Sequence, residues 1–176
     1  MTQIEQLSED ITALRERLAA LEAEADIRRI AARYMLLCDK PTADAPGPAF
    51  PDLFTKDVVW EGTESRYSKW FGRHEGIDNV MTFFKNFRSR EQRFVLNVHY
   101  IGNESIHVSG DTAEGWWLLY EPVTDATEVS TVLAARLHMT LRREPDAWRI
   151  CHFRTQNLFH ASQPQGWNDD ISRRPT

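Results

Sequence analysis

Three side chains in this sequence are of types that move protons and are spaced so that a fold could bring them to one cavity. They are Asp39, which closes the apolar run RYMLLCDKP, His99 within VLNVHYIG, and Tyr34, five residues before the aspartate. An acid at the carboxyl end of a helix meets the negative end of the macrodipole, so its charge needs a compensating partner. If His99 is that partner, the carboxylate fixes the imidazole tautomer and stabilises its protonated form, leaving the other ring nitrogen to take a proton from substrate. Tyr34 is too far round the helix to share a face with Asp39, yet both can border one cavity at the helix end. There a phenol polarises a carbonyl or protonates a leaving oxygen. Each residue also has a reading in packing alone: a histidine completing a hydrogen bond inside the core, and a core tyrosine.

The elements that must position these residues follow from periodicity. Ile4, Leu7, Ile11, Leu14, Leu18 and Leu21 fall on a and d positions of three heptads, with Asp10 and Arg17 at g and Arg15 and Glu22 at e. This pattern predicts an N-terminal helix over residues 1–24 that self-associates, or else packs on its own domain. The phase breaks near Ala25, and Ile27, Ile30, Tyr34 and Leu37 form a second stripe leading to Cys38 and Asp39, with Asp26 as its cap or its favourable first-turn charge. Pro41 predicts an end near Asp39, and PTADAPGPAFP reads as a loop.

DLFTKDVVWEG reads as a helical turn followed by a strand, and GRHEGIDNVMTFFKNF as a glycine-started amphipathic helix. RFVLNVHYIGNESIHV, TAEGWWLLYEPV, STVLAARLHMTLRRE and AWRICHFRTQNLF are β-rich runs separated by SGD, TDATE and EPD turns. In the first of these His99 falls in phase with Val95, Asn97 and Ile101. Helices followed by an antiparallel meander give an α+β domain over residues 25–160, and the polar segment 161–176 reads as a frayed tail or a lid.

Composition narrows the function. A chain of 176 residues, 41% hydrophobic, builds one core. The net charge of -5 comes from intermixed signs without a basic run, which argues against nucleic acid and membrane surfaces and favours small molecules or proteins as partners. Two cysteines, Cys38 and Cys151, at no metal-ligand spacing read as reduced thiols of a cytoplasmic protein. The six histidines show no H-x-H or H-x-x-x-H pair, so no metal is expected, and no cofactor.

In the order DIRRIAARYMLLCD, LFTKDVVWEG, GRHEGIDNVMTFF, LNVHYIGNESIHVSGDTAEGWWLLY and AARLHMTLRREPDAWRICHFRTQNLF, the chain resembles the SnoaL-like branch of the nuclear transport factor 2 superfamily over about residues 25–159. The pattern is most similar to the group holding scytalone dehydratase, bile-acid 7α-dehydratase and hexachlorocyclohexane dehydrochlorinase. The resemblance implies a cone-shaped fold, a curved and mainly antiparallel sheet wrapped by helices around an apolar pocket. It also implies that Asp39 and His99 form an acid-base pair, with Tyr34 matching the tyrosine that the bile-acid enzyme carries five residues ahead of its aspartate.

Substrate contacts are expected from Trp60, from Arg136 and His138 in AARLH, from Asn157 near the end of the last strand, and from one of the adjacent Trp116 and Trp117. These two tryptophans must point to opposite faces. Trp117 is taken as the lining residue, although the SGD turn leaves the hairpin register open. A small polar pair that the scytalone enzyme carries on its third long strand is replaced here by AARLH, which implies a different substrate. The expected function is a cofactor-independent lyase, a dehydratase or a retro-aldol type, or an isomerase, acting on a small aromatic or polycyclic molecule in a homo-oligomer, a dimer or trimer. The alternatives are a binding or assembly module without catalysis, a polyketide cyclase, and an epoxide hydrolase of the same fold. The hydrolase would need a second acid to pair with Arg136.

Overall fold

A computed structural model describes residues 2–39, 46–91, 94–164 and 166–167. Pro41 and the rest of the first half of the proline-rich loop, residues 41–45, and the end of the C-terminal tail lie outside the described residues. Helix α1 spans Gln3–Cys38 without a break, so the two apolar stripes sit on one rod. Its start is fixed by a capping box, in which the Thr2 side chain accepts from the Glu5 amide and the Glu5 carboxylate accepts from the Thr2 amide. The second stripe packs: Ala23, Ile27, Ala31, Tyr34 and Met35 are buried, with Ile30 and Leu37 partly so. The heptad stripe does not pack on the domain, and its six apolar side chains are 42–81% exposed.

A 3₁₀ turn at Phe50–Leu53 leads into β1 (Phe54–Thr63). Helix α2 (Glu64–Trp70), strand β2 (Arg73–Glu75) and helix α3 (Ile77–Glu91) follow. Neither α2 nor β2 was expected from periodicity, since each is too short to show one. β3 (Phe94–Asn97), β4 (Tyr100–Ser109), β5 (Thr112–Asp125), β6 (Ser130–Arg143) and β7 (Trp148–Ser162) complete the curled sheet. Its order is β2-β1-β7-β6-β5-β3, with β4 also pairing β5. The β5, β6 and β7 pairs are antiparallel as expected, but β1 joins β7 in parallel, so the sheet is mixed.

Alternation along most of β5 and β6 assigns the two faces of the sheet. Ala113, Trp117, Leu119, Ala135, Leu137 and Met139 are buried inward, and Leu118, Tyr120 and Arg136 are exposed outward. The inward face, α3 and the second half of α1 enclose an aromatic core in which the Phe153 ring stacks on Tyr34 at 4.7 Å and on Trp60 at 5.6 Å between centroids.

Candidate active site

Asp39 is the C-cap of α1, in an extended conformation, with its own amide donating to the Met35 carbonyl at 3.0 Å. Oδ1 of this aspartate accepts two bonds from one residue: the His99 backbone amide at 2.8 Å and His99 Nδ1 at 2.9 Å. Together they supply the compensation that a carboxylate at the negative end of a helix requires. Both side chains are nearly buried, 13% and 12% exposed. A carboxylate only accepts, so Nδ1 carries the proton and Nε2 holds the lone pair of the neutral ring. Asp39 stands behind His99: the histidine lines the cavity and the aspartate does not.

His99 Nε2 lies 3.5 Å from Oε1 of Glu121, a residue that periodicity and the resemblance both passed over. Burial pushes the Glu121 carboxyl above the usual carboxylate range, against the opposing pull of His99 and a hydrogen bond from Asn97. The juxtaposition is set by register. Near the SGD turn β4 and β5 pair as Ser109 with Thr112 and Ser105 with Trp116, but beyond Asn103 the register moves by one residue, to Gly102 with Leu118 and Tyr100 with Tyr120. Asn103 takes the left-handed conformation, φ 51°, that this bulge needs. The shifted register carries on to Asn97 with Val123, so His99 falls directly across from Glu121.

His99 was expected inside a strand; it lies instead in the break between β3 and β4. Opposite this break is Pro122, which has no N–H to give the ladder, and the link is held by the Val98 amide donating to the Pro122 carbonyl at 3.2 Å. One sequence signal pointed to the bulge. Ile101 and the pair Ile106 and Val108 all pack on the core, although they differ in parity along one strand.

The cavity that His99 and Glu121 line has a volume of about 90 Å³ and aromatic walls, among them Tyr34, Trp60, Phe84 and Phe153. A wider vestibule of about 970 Å³ adjoins it, and Tyr67, Phe71, Phe83, Asn97 and Glu121 border both. Tyr34 is buried, and its hydroxyl accepts the Trp60 indole N–H at 3.0 Å. Asn97 is 3% exposed, and its Oδ1 has no hydrogen-bond partner. Tyr67, also unforeseen, has its phenol pushed up to about 12 by burial and is hydrogen-bonded to Asn157.

Of the residues expected to touch substrate, Trp60 lines the inner cavity. Trp117 points inward but packs in the core with its ring over Gly115, while Trp116 faces out and stacks on His138 at 4.7 Å, so neither lines the cavity. Asn157 sits outside the inner cavity and reaches it only through the Tyr67 hydroxyl. Arg136 and His138 are on the outward face, because the inward parity of β6 belongs to Ala135, Leu137 and Met139. Arg136 donates to Gln156 at 3.3 Å, and His138 meets Arg154 at 3.2 Å. Among the described residues no three His, Cys, Asp or Glu side chains are arranged to hold a metal ion. No helix among them is long and apolar enough to cross a membrane.

A curled sheet closed by helices around an aromatic cavity is the architecture of the NTF2-like domains. The model of the SnoaL-like domain matches residues 19–154, and the chain belongs to that family. No functionally curated protein matches it by sequence. Among solved structures it is similar to a type 2 hexachlorocyclohexane dehydrochlorinase, at 14% identity and a TM-score of 0.70, covering 88% of this chain and 99% of that one. It is similar also to a Novosphingobium aromaticivorans protein provisionally assigned as scytalone dehydratase, at 16% identity and TM-score 0.63, covering 85% and 97%. An NTF2-like protein with a cystatin-like fold from the same organism gives 21% identity and TM-score 0.63, covering 84% and 89%. At these identities the likeness is one of fold.

Proposed function

We propose that this chain is a cofactor-independent lyase acting on a small hydroxylated, ring-bearing molecule, with His99 as general base and Asp39 as the residue that orients it. The observation that carries this reading is the pair of hydrogen bonds that one aspartate oxygen accepts from the His99 amide and Nδ1, which leaves Nε2 as the basic nitrogen of a cavity-lining ring. In a dehydration, Nε2 takes a proton from carbon, a carbon–carbon double bond forms, and the carbon–oxygen bond breaks as the leaving hydroxyl is protonated to water. Glu121 is the acid for that second proton, since it stands on the same wall as the base and burial raises its carboxyl above the usual carboxylate range, which favours the proton-bearing form. The ion pair left behind, imidazolium and carboxylate 3.5 Å apart, returns the proton from His99 to Glu121 and restores the starting state.

Tyr34 stabilises charge developing on a substrate oxygen, and the unpartnered Asn97 Oδ1 accepts from a substrate hydroxyl. The aromatic walls and the adjoining vestibule suit a ring with a larger remainder. A retro-aldol cleavage or an isomerisation draws on the same base, with the proton taken from a hydroxyl or returned to a neighbouring carbon. The dehydrochlorinase and the provisional dehydratase that share the fold support proton abstraction followed by loss of a leaving group.

The test is turnover of a panel of hydroxylated aromatic and polycyclic compounds by wild type, His99→Ala and Asp39→Asn, with ligand binding measured in parallel. Turnover should fall by about 100-fold or more in both variants while binding persists. If both variants match a wild type that turns over, the dyad is not the catalytic pair, and if ligands bind but wild type turns none of them over, the site is a binding module.

A further inference from the structure

Residues 3–22 are exposed along their whole length, on a helix whose second half is anchored in the core. At 1.5 Å per residue this segment extends about 30 Å from the point where burial begins. Ile4, Leu7, Ile11, Leu14, Leu18 and Leu21 form one unbroken stripe along it, away from the inner cavity and its vestibule. We propose that this stripe is the seam of a parallel, in-register, two-stranded coiled coil with a second copy of the same chain.

The sequence of the stripe selects the occupant. Isoleucine at two of the three a positions, Ile4 and Ile11, with leucine at every d position favours two strands. The flanking charges select the orientation. In a parallel pair, Asp10 at g meets Arg15 at e of the other copy, and Arg17 at g meets Glu22 at e. Each contact occurs twice by symmetry, so Asp10, Arg15, Arg17 and Glu22 are all used. In an antiparallel pair of full overlap, g faces g and e faces e. Asp10 then still meets Arg17, but Arg15 falls against Ser8 and Glu22 loses its partner. Complementarity is greater in the parallel arrangement.

Three heptads are short for an isolated coil, because helix nucleation is costly. Here nucleation is already provided: the same helix is held on the domain by Ala23, Ile27, Ala31 and Tyr34, and its far end is capped by Thr2 and Glu5. The seam therefore extends an existing helix.

The experiment uses the full chain and two sets of substitutions. Leu7→Asp with Leu14→Asp places charge on the exposed seam without touching the core, and circular dichroism checks that the fold is retained. Sedimentation should give a mass half that of wild type at the same concentration. Leu14→Cys puts a thiol at a d position, where a parallel in-register coil brings it against its own copy, and mild oxidation should give a covalent dimer. Ala13→Cys, at the outward c position, carries the same native cysteines as a control and should not. A Leu14→Cys chain that cross-links no faster than Ala13→Cys overturns the proposal, and so does a mass that the double aspartate variant leaves unchanged.

Discussion

Glu121 carries the largest difference between what the sequence displayed and what the structure holds. Asp39 and His99 were legible as types, since an acid at a helix end and a histidine in an apolar run each ask for a partner. Glu121 was not, because a single glutamate in LLYEPV looks like any outward strand position until the register is known. Its raised carboxyl pKa has a consequence for stability. In the unfolded chain the group ionises near its usual value, whereas the folded state keeps the proton to higher pH. Its contribution is therefore fully present below the usual carboxylate pKa and is lost as pH rises through the raised value. We expect Glu121→Gln to raise the melting temperature at about pH 8, by a free energy on the order of 1–3 kcal/mol, with the gain vanishing at about pH 4. In turnover the same variant should slow loss of a hydroxyl much more than loss of a halide, which leaves without a proton; equal slowing would remove Glu121 from the acid role.

At the scale of elements, the site is a product of strand register. A one-residue bulge at Asn103 brings His99 opposite Glu121, and without it every side chain from Gly102 to Asn97 would change partner. Asn103→Val puts a β-branched residue at a positive φ and should cost about 1–3 kcal/mol in denaturant unfolding while lowering turnover. Asn103→Gly accepts that φ, and should keep both the fold and the turnover. A second close approach joins α2 to β1: a Cβ on Gly62 would stand 2.3 Å from the Tyr67 carbonyl oxygen, and backbone cannot swing aside. Gly62→Ala should destabilise by about 1–3 kcal/mol and shift Tyr67 from the cavity wall, seen as a changed aromatic circular dichroism signal. The long strands and α3 were legible from their periods. The faces of β6 were not: Arg136 and His138 share a face, as alternation requires, but only pairing with β5 and β7 assigns that face to the outside.

For the whole molecule, the α+β class and the order of most elements followed from the alternation of apolar runs and turns. The parallel β1–β7 pairing did not, since it joins the first strand to the last and leaves no local trace. The heptad stripe and the core stripe of α1 were both legible, and the structure adds that one uninterrupted helix carries them. The assembly proposed for that helix would make stability depend on protomer concentration. The melting temperature should rise with concentration for wild type and stay flat for the Leu7→Asp, Leu14→Asp variant.

The central claim is that Asp39 fixes His99 with its basic nitrogen turned to the cavity. Nitrogen-15 correlation spectra of the His99 ring test this without a substrate. Once the ring is neutral, Nδ1 should show the shift of a protonated nitrogen and Nε2 that of a nitrogen with a lone pair, and Asp39→Asn should weaken this preference. A neutral ring with its proton on Nε2 would contradict the account, because the nitrogen assigned to take the substrate proton would already hold one.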